Sequence, residues 1–348
     1  MEGGVTGCVG YVQSQSQRSL FSSVPAMRVL ITGASGFAGR NLVALCRDMG
    51  AIVLGLGRRS ADEADWGEDP GRYLRCDLTD SARADAAIEA AAPDLVFHLA
   101  GEASVADAWR DPAGTITRNA ASTVNVLEAV RRHAPRARVL IACSGDEYGP
   151  HDDLPVTERH PLRPQNPYAV SKVIGDLTAG LYHESFGLDV VRVRAFNHAG
   201  PGQSDRYVVS KLARQVASAE ALGTGDPLEV ATGGASLGRD FVDVRDVAEA
   251  YWLALQQADP DVYNVCSGRS TRIADILSSF STHARVDLVP RTDHRQRRDR
   301  EVLVTWGSHS KFTAATGWRP RIPLERTLTD TLDWWRRRLP APLAGQGA

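Results

Sequence analysis

The chain lacks both a strong net charge and long apolar runs. Its 40 Lys+Arg residues nearly balance its 42 Asp+Glu residues, and the formal net charge is −2. Because non-specific binding to nucleic acid depends on concentrated positive charge, this balance argues against that function. It also argues against an acidic disordered protein. No stretch of about 18 uninterrupted apolar residues occurs, so we expect no transmembrane helix and no membrane partner.

Paired cysteines are absent as well. The five cysteines, at positions 8, 46, 76, 143 and 266, are scattered, with no C-x-x-C pair and no histidine-rich cluster beside them. This spacing argues against a disulfide framework and against a zinc site. It predicts reduced, buried thiols in a cytoplasmic protein.

Residues 1–26 lack sustained periodicity and lack the basic-then-apolar order of a secretory signal. They are rich in Gly, Ser and Gln, and Arg18 among several serines is compatible with a transit peptide. The plainer interpretation is a disordered tail, or an over-long gene prediction whose real start is Met27.

A sharp strand–loop–helix pattern begins at Met27. The apolar run 27–32 predicts a buried strand, 40–50 an amphipathic helix and 51–57 a second strand. In such a unit the first glycine of the loop permits a tight turn and the second lets backbone N–H groups approach a pyrophosphate. The third allows close helix–strand packing. We interpret the loop as a dinucleotide site with contacts at Gly33, Gly36, Phe37, Ala38 and Gly39.

The residues after the second strand bear on the choice of nicotinamide cofactor. NAD-binding units usually place Asp or Glu there to hydrogen-bond the ribose 2′-OH. This chain has Arg58-Arg59-Ser60 instead, and guanidinium groups suit a 2′-phosphate through charge-assisted hydrogen bonds. Solvated loop arginines are the plainer alternative. The pattern favours NADP(H), with Arg58 as a contact.

Strand and helix patterns then alternate along most of the chain. Apolar runs such as DLVFH and ARVLIACS are separated by predicted helices at 81–91, about 113–133 and one containing 168–186. Repeated β-α units predict an α/β fold, a Rossmann-type doubly wound parallel sheet with a smaller C-terminal substrate-binding lobe. The expected NADP-binding domain comprises 27–200 and 239–266, the lobe comprises 201–238 and 267–340, and 341–348 form a tail.

Tyr168 and Lys172 lie four residues apart, on one face of a predicted helix. A tyrosine with a pKa near ~10 exchanges protons poorly at neutral pH, and an adjacent ammonium is expected to lower that pKa. Ser144 ends a predicted strand 24 residues earlier, where open α/β sheets bind ligands. An isolated Y-x-x-x-K is usually a surface helix pair. Behind a dinucleotide loop, the three residues favour a catalytic set in which Lys172 also holds the cofactor ribose.

With the glycine loop, Ser144, Tyr168 and Lys172 together, the chain resembles the extended short-chain dehydrogenase/reductase family from Met27 to about Leu339. The resemblance implies that Asp77 and Leu78 contact adenine, that Leu99 and Ala100 line the cofactor, and that Asn119 supports the active site. It also implies a homodimer, joined through the helices near 114–133 and 168–186 as a four-helix bundle.

Narrower motifs are similar to those of GDP-4-keto-6-deoxy-D-mannose reductases, which are relatives of the GDP-mannose 4,6-dehydratases. They include CSGDEYG, RAFNHAGPGQ, GRDFVDVRDVAEAYW and TGWRPRIPLERTL. This resemblance implies a GDP-sugar substrate. The implied substrate contacts, in addition to the catalytic serine, are Gly145, Asn197, Val208, Lys211, Arg239, Arg298 and Glu301. The stretch RRDRE departs from the usual R-P-x-[DE] pattern around the last two.

Two alternatives to the reductase stay open. Nucleotide-sugar 4,6-dehydratases resemble one another in carrying T-D-E or T-S-E after the sheet strand, where this chain has Ser144-Gly145-Asp146. Glycine donates no proton and aspartate is shorter than glutamate, which disfavours an elimination, although Asp146 and Glu147 keep a dehydratase or epimerase as the second hypothesis. The other hypothesis is a non-catalytic NADP-sensing regulatory protein, which would have no need of the Ser-Tyr-Lys set.

Overall fold

The structure is a computed structural model that describes residues 27–64, 66, 72–223, 226–232, 236–292 and 304–339. The strands are β1 (Arg28–Thr32), β2 (Ile52–Gly57), β3 (Tyr73–Arg75), β4 (Leu95–His98), β5 (Arg138–Ser144), β6 (Val190–Ala195), β7 (Asn197–Ala199), β8 (Leu228–Thr232), β9 (Gly238–Arg239), β10 (Phe241–Asp243), β11 (Val262–Val265), β12 (Thr271–Arg272) and β13 (Leu288–Thr292). The helices are α1 (Phe37–Asp48), α2 (Ser81–Ala91), α3 (Val105–Arg110), α4 (Pro112–His133), α5 (Pro167–Phe186), α6 (Val208–Leu222), α7 (Val244–Gln257), α8 (Ile273–His283), α9 (Ser310–Thr316) and α10 (Leu324–Arg336).

A seven-stranded parallel sheet forms the centre of the molecule. Its strand order is β11-β6-β5-β4-β1-β2-β3, and each neighbouring pair runs parallel. The chain starts in the middle, fills one side through β3, and then returns to fill the other, which is the doubly wound order. The predicted Rossmann-type fold is therefore confirmed.

Helix boundaries follow from local capping chemistry. Asp80 caps α2 by accepting the N–H groups of Ala82 and Arg83. The side chain of Asn166 accepts the N–H of Ala169, and Pro167 occupies the first turn of α5, where a missing N–H costs nothing. Gly187 ends α5 with a φ of +67°, a left-handed conformation that glycine adopts readily.

Helices cover both faces of the sheet, since successive side chains of its strands are apolar and point to opposite faces. On β1, Val29 and Ile31 are buried with residues of α1 and α7, such as Leu42 and Val247. The residue between them, Leu30, is buried with α2 and α4 on the opposite face. Successive side chains of a strand point to opposite faces, so a strand that is covered on both faces needs a nearly continuous apolar run.

A third apolar cluster lies outside the sheet, among α6, α8 and α10. Leu212, Phe280 and Leu328 are buried there, and β8 pairs with β13 beside them. The cluster draws on both chain segments assigned to the substrate lobe, whose exact boundaries stay a prediction. The expected tails, 1–26 and 341–348, lie outside the described residues.

Cys46, Cys76, Cys143 and Cys266 are free and buried, as predicted for reduced thiols, whereas Cys8 lies outside the described residues. Within the described ranges, none of the helices combines the length and the apolar character needed to cross a lipid bilayer.

Candidate active site

The glycine loop between β1 and α1 packs too closely for larger side chains. An ideal Cβ on Gly39 would lie 2.2 Å from the carbonyl oxygen of Gly33, and Gly33 itself has a φ of +69°. Gly36 occupies the N-cap position of α1, and no described side chain caps the helix there. The first N–H groups of α1 are thus available to a ligand, which is the arrangement that binds a pyrophosphate. The loop fits the predicted dinucleotide.

A cavity of about 640 Å³ opens beside this loop, at the carboxyl ends of the parallel strands. This size is within the range of small-molecule and cofactor sites. The cavity brings together most of the residues predicted from the sequence, which lie far apart along the chain. They are Gly33, Gly36, Phe37, Ala38, Gly39, Leu99, Ser144, Tyr168, Lys172, Asn197, Val208, Lys211 and Arg239.

The other predicted residues are placed differently. Arg58, Asp77, Leu78, Ala100 and Gly145 lie outside the cavity wall, judged on the described part of the chain. The backbone carbonyl of Arg58 accepts a hydrogen bond from Arg75 Nε at 3.1 Å. A Cβ on Gly145 would come within 3.1 Å of the Phe196 ring, so this glycine has a packing role.

Arg298 and Glu301, expected to hold the guanosine end, lie outside the described residues. The roles of Arg298 and Glu301 stay predictions, as do the roles of the predicted residues that lie outside the cavity wall.

Ser144 and Tyr168 meet at the end of the cavity. Ser144 is the last residue of β5, and its hydroxyl lies beside the Tyr168 phenol. The backbone N–H of Asp146 donates to Ser144 Oγ at 3.1 Å. Since that bond occupies an acceptor site of the hydroxyl, Ser144 keeps its own O–H for another partner. The pair can therefore present two O–H donors to one oxygen atom of a ligand.

Lys172 lies one helical turn beyond Tyr168 on α5, and its Nζ donates to the carbonyl of Ala142 at 2.6 Å. Asn119 on α4 supports the same stretch of helix, because its Nδ2 donates to Ser171 Oγ at 2.8 Å. These contacts fix the lysine between the sheet and α4.

The pKa of the Tyr168 phenol is raised in this structure. Burial raises it above its ordinary value, and the negative charge of Asp146 raises it further, while the neighbouring Ser144 hydroxyl opposes them. Burial also lowers the pKa of Lys172. The expectation that the pKa of Tyr168 is lowered is therefore wrong for this structure, because desolvation disfavours the phenolate.

Several cavity residues were missed in the sequence reasoning or given only a structural role. His198 stacks on Phe37 with ring centroids 5.9 Å apart, and burial lowers its pKa. Gln203 donates to the His198 carbonyl at 2.8 Å. Arg206 and Tyr207 also line the cavity. His198 lies in the short strand β7 and the others precede α6, where neither periodicity nor spacing signals a shared site.

Comparison with known proteins places these features in one family. The family model described as GDP-mannose 4,6 dehydratase matches residues 30–331. A GDP-6-deoxy-D-mannose reductase of Pseudomonas aeruginosa is 34% identical over 315 residues, covering 90% of this chain and 98% of the relative.

Two solved structures have the same fold over nearly their whole length. RMD from Pseudomonas aeruginosa, complexed with NADPH, is 33% identical with a TM-score of 0.79, covering 90% of this chain and 99% of that chain. The UDP-glucose 4-epimerase of Thermus thermophilus, complexed with NAD, is 29% identical with a TM-score of 0.79, covering 90% and 100%.

The relatives thus include dehydratases, reductases and epimerases, which are NAD(P)-dependent enzymes acting on nucleotide sugars. On the family match across residues 30–331, together with the glycine loop and the Ser-Tyr-Lys site, the chain belongs to the GDP-mannose 4,6-dehydratase family of short-chain dehydrogenases/reductases.

Proposed function

We propose that this protein is an oxidoreductase that reduces the C4 ketone of GDP-4-keto-6-deoxy-D-mannose with NADPH, giving GDP-6-deoxy-D-mannose (GDP-D-rhamnose). The observation that carries the proposal is the Tyr168 phenol, which lines one cavity with Ser144, Lys172 and the glycine loop and whose pKa is raised by desolvation. Reduction of a ketone needs a proton donor at the oxygen, and a protonated phenol supplies one. The relative from Pseudomonas aeruginosa supports the same reaction.

The chain's own residues have separate parts in this reaction. Ser144 and Tyr168 hydrogen-bond the carbonyl oxygen and polarise it. When bound, NADPH would supply the hydride. As negative charge develops on the oxygen, Tyr168 transfers its proton and the product hydroxyl forms. Lys172, anchored on the Ala142 carbonyl, holds the ribose and provides positive charge near the phenolate that remains.

NADPH is the proposed cofactor because β2 ends without an acidic residue. Arg58 and Arg59 follow Gly57 at that position, and an Asp or Glu there would repel a 2′-phosphate. The relative RMD from Pseudomonas aeruginosa was solved with NADPH. Arg58 lies outside the cavity wall, and we assign it to the far, adenosine end of the cofactor.

The diphosphate of the sugar nucleotide is proposed to lie near Lys211 and Arg239. Both cationic side chains line the cavity, and Lys211 is in the first turn of α6, where the helix dipole also favours anions. Asn197 and Val208 line the cavity beside them. We assign these four residues to the substrate, with Arg298 and Glu301 proposed to hold the guanosine.

The test is to generate the ketosugar in situ, add protein and NADPH, and follow absorbance of the reduced nicotinamide. Tyr168→Phe is the matched control because it removes only the phenolic oxygen. Oxidation of NADPH well above that control supports the reductase. Binding of NADPH without turnover of any 4-ketosugar would favour the cofactor-sensing alternative and would refute the proposal.

A 4,6-dehydratase is the second candidate, because Asp146 lines the cavity beside Tyr168. Dehydratases place a glutamate at the corresponding position, so this carboxyl group could take part in an elimination. The two reactions differ in what they consume. Formation of the ketosugar from GDP-mannose without external NADPH would favour the dehydratase over the reductase.

We also propose a homodimer formed through α4 and α5. Leu177 and Leu181 lie one turn apart on α5, and both are more than half exposed. Exposed apolar side chains at helical spacing are typical of an interface with another subunit. The molar mass in solution, measured by light scattering after size-exclusion chromatography, tests this proposal.

A further inference from the structure

A buried cluster of charged side chains lies directly behind Ser144 and Tyr168. Glu147 and Asp176 are fully buried, and Arg194 is nearly so. Arg194 Nε donates to Asp176 Oδ2 at 2.7 Å and lies 3.5 Å from Glu147 Oε2. Buried charges are tolerated only when they are paired in good geometry, so the three side chains hold one another in a defined arrangement.

The members of this cluster belong to elements that carry the catalytic set. Asp176 is on α5, four residues after Lys172 and eight after Tyr168, which places the three on one face of the helix. Arg194 is on β6, where it pairs with Cys143, the residue before Ser144. The ion pair between Arg194 and Asp176 therefore ties the helix of the phenol to the strands that end at Ser144.

Glu147 makes the direct link to Ser144. Its Oε1 accepts the backbone N–H of Ser144 at 2.7 Å, within a capping box around the short 3-10 turn at 145–147. The hydroxyl of the same serine accepts the N–H of Asp146 at 3.1 Å. Together these two bonds orient the backbone and the side chain of Ser144, and the first depends on the side chain of another residue, Glu147.

The far side of the cluster is closed by neutral groups. Arg194 Nη1 donates to the Tyr148 hydroxyl at 2.9 Å, and that hydroxyl donates to Asn264 Oδ1 at 2.7 Å. Donor atoms of Cys143, Glu147 and Asp176 lie within 4.8 Å of one another. The guanidinium groups of Arg194 and of Arg192, which donates to Asp176 Oδ1 at 3.0 Å, together balance the two carboxylates, however, and would repel a metal cation, so the cluster is better suited to holding the site in place.

We propose that Glu147 is a positioning residue, which sets the direction of the Ser144 hydroxyl toward the substrate oxygen by fixing the Ser144 amide. Arg194 and Asp176 in turn fix Glu147 relative to the helix that carries Tyr168. The expected effect on kcat rests on the proposed ketone reduction. The hydrogen bond between the Ser144 amide and Glu147 does not depend on that reaction.

Two substitutions separate positioning from charge. Glu147→Gln keeps an acceptor oxygen at the same distance from the backbone and removes the negative charge. Glu147→Asp keeps the charge, but its side chain is shorter by one methylene, so the acceptor oxygen lies farther from the Ser144 N–H. Positioning predicts that kcat of the Gln variant stays within about threefold of the wild type. It predicts that kcat of the Asp variant falls at least tenfold, because a displacement of about 1 Å can cost up to ~100-fold in rate. The KM for NADPH should change less than twofold in both.

A double-mutant cycle with Ser144→Ala tests whether the effect passes through the serine. In the Ser144→Ala background, Glu147→Asp should lower kcat less than twofold further. Glu158→Ala is the matched control, because Glu158 Oε1 also accepts a backbone N–H, that of Asn264 at 2.8 Å. That control should keep kcat within twofold of the wild type. The proposal would be overturned if Glu147→Asp lowered kcat by the same factor in the wild type and in Ser144→Ala. It would also be overturned if Glu147→Gln lowered kcat as much as Glu147→Asp.

A second measurement decides the inference even if the wild type reduces no ketosugar, an outcome that would count against the proposed function instead. In protein labelled with 15N-serine, the Ser144 amide proton should resonate downfield because of its short hydrogen bond. Glu147→Gln should retain most of that shift and Glu147→Asp should lose it. An unchanged Ser144 amide resonance in Glu147→Asp would show that Glu147 does not position this residue.

Discussion

Substitution of Gly39 by alanine should impair cofactor binding more than it impairs the fold. The added Cβ would lie 2.2 Å from the Gly33 carbonyl oxygen and 2.9 Å from Ala34 Cα. Contacts under 3.0 Å are essentially never seen for real Cβ atoms, so the loop at 33–36 must move away from α1 by most of an ångström. The loop and the first turn of α1 supply the N–H groups for the pyrophosphate, and they would no longer converge on it.

The expected size of the effect follows from the bonds at stake. A hydrogen bond to a charged group contributes about 2 kcal/mol, so losing one corresponds to roughly 30-fold weaker NADPH binding. Overpacking of this kind also destabilises the fold, typically by about 1–3 kcal/mol. We therefore expect Kd for NADPH to rise at least tenfold. The free energy of unfolding should decrease by a smaller factor than the affinity for NADPH.

Both quantities can be measured on the same samples, Kd from quenching of tryptophan fluorescence by NADPH and stability from urea unfolding. Gly175→Ala is the matched control, because a Cβ on Gly175 would meet its nearest neighbour, Thr123 Oγ1, at an ordinary 3.5 Å. That helical substitution should stabilise the protein by about 0.5–1 kcal/mol and leave NADPH binding unchanged. A Gly39→Ala protein that binds NADPH within threefold of the wild type would refute the assignment of the loop.

Three further outcomes are expected. Tyr168→Phe should lower kcat of ketosugar reduction by about 10²- to 10⁴-fold with Kd for NADPH changed less than twofold; a loss under tenfold would contradict proton donation by Tyr168. Because reduction needs the protonated phenol and the pKa of Tyr168 is raised, kcat/KM should not fall until the pH exceeds about 10. Asp146→Asn removes a negative charge that raises the pKa of Tyr168, so the decrease in kcat/KM should begin at a lower pH. A decrease that begins at the same pH as in the wild type would contradict the effect of Asp146 on this pKa. Leu181→Arg should convert the dimer into monomers by light scattering, with Leu222→Arg, which changes an exposed leucine at the end of α6, as the charge-matched control; a dimer that persists in Leu181→Arg would contradict the interface.

Local chemistry made much of the sheet and its helices predictable. The central residues of β1, β4 and β5 form uninterrupted apolar runs because both faces of the sheet are covered, and this distinguishes them from half-exposed strands. Helix α2 has the predicted bounds of 81–91, since Asp80 provides an unambiguous cap. The pairing of β8 with β13 was not predictable, because it joins segments about 60 residues apart whose short patterns do not specify a partner.

The site was predictable only in part, for a different reason. Gly33, Ser144 and Tyr168 each carry a local pattern, and the sheet topology then brings them together. The pKa of Tyr168 depends instead on burial and on the position of the Asp146 carboxylate, and neither is encoded in the spacing of Tyr168 and Lys172. His198 reaches the cavity from the short strand β7 and Gln203 from the loop that follows it, and their partners are backbone carbonyls that leave no trace in side-chain patterns.

The path of the chain limits how the proposed substrate lobe could be exchanged between relatives. The third apolar cluster uses segments on either side of α7 and β11, and β11 pairs with β6 in the central sheet. A chimaera that imports this cluster but keeps the α7 and β11 of the host therefore needs three crossovers, one before α6, one before α7 and one after β11. Its second segment must also match the host, because Thr327 donates to Asp243 at 2.7 Å and Arg245 pairs with Asp330 at 2.8 Å. Recombination at a single point after β11 would leave these buried or half-buried charges facing foreign partners, so exchange of the C-terminal segment should succeed only when these residue pairs are transferred together.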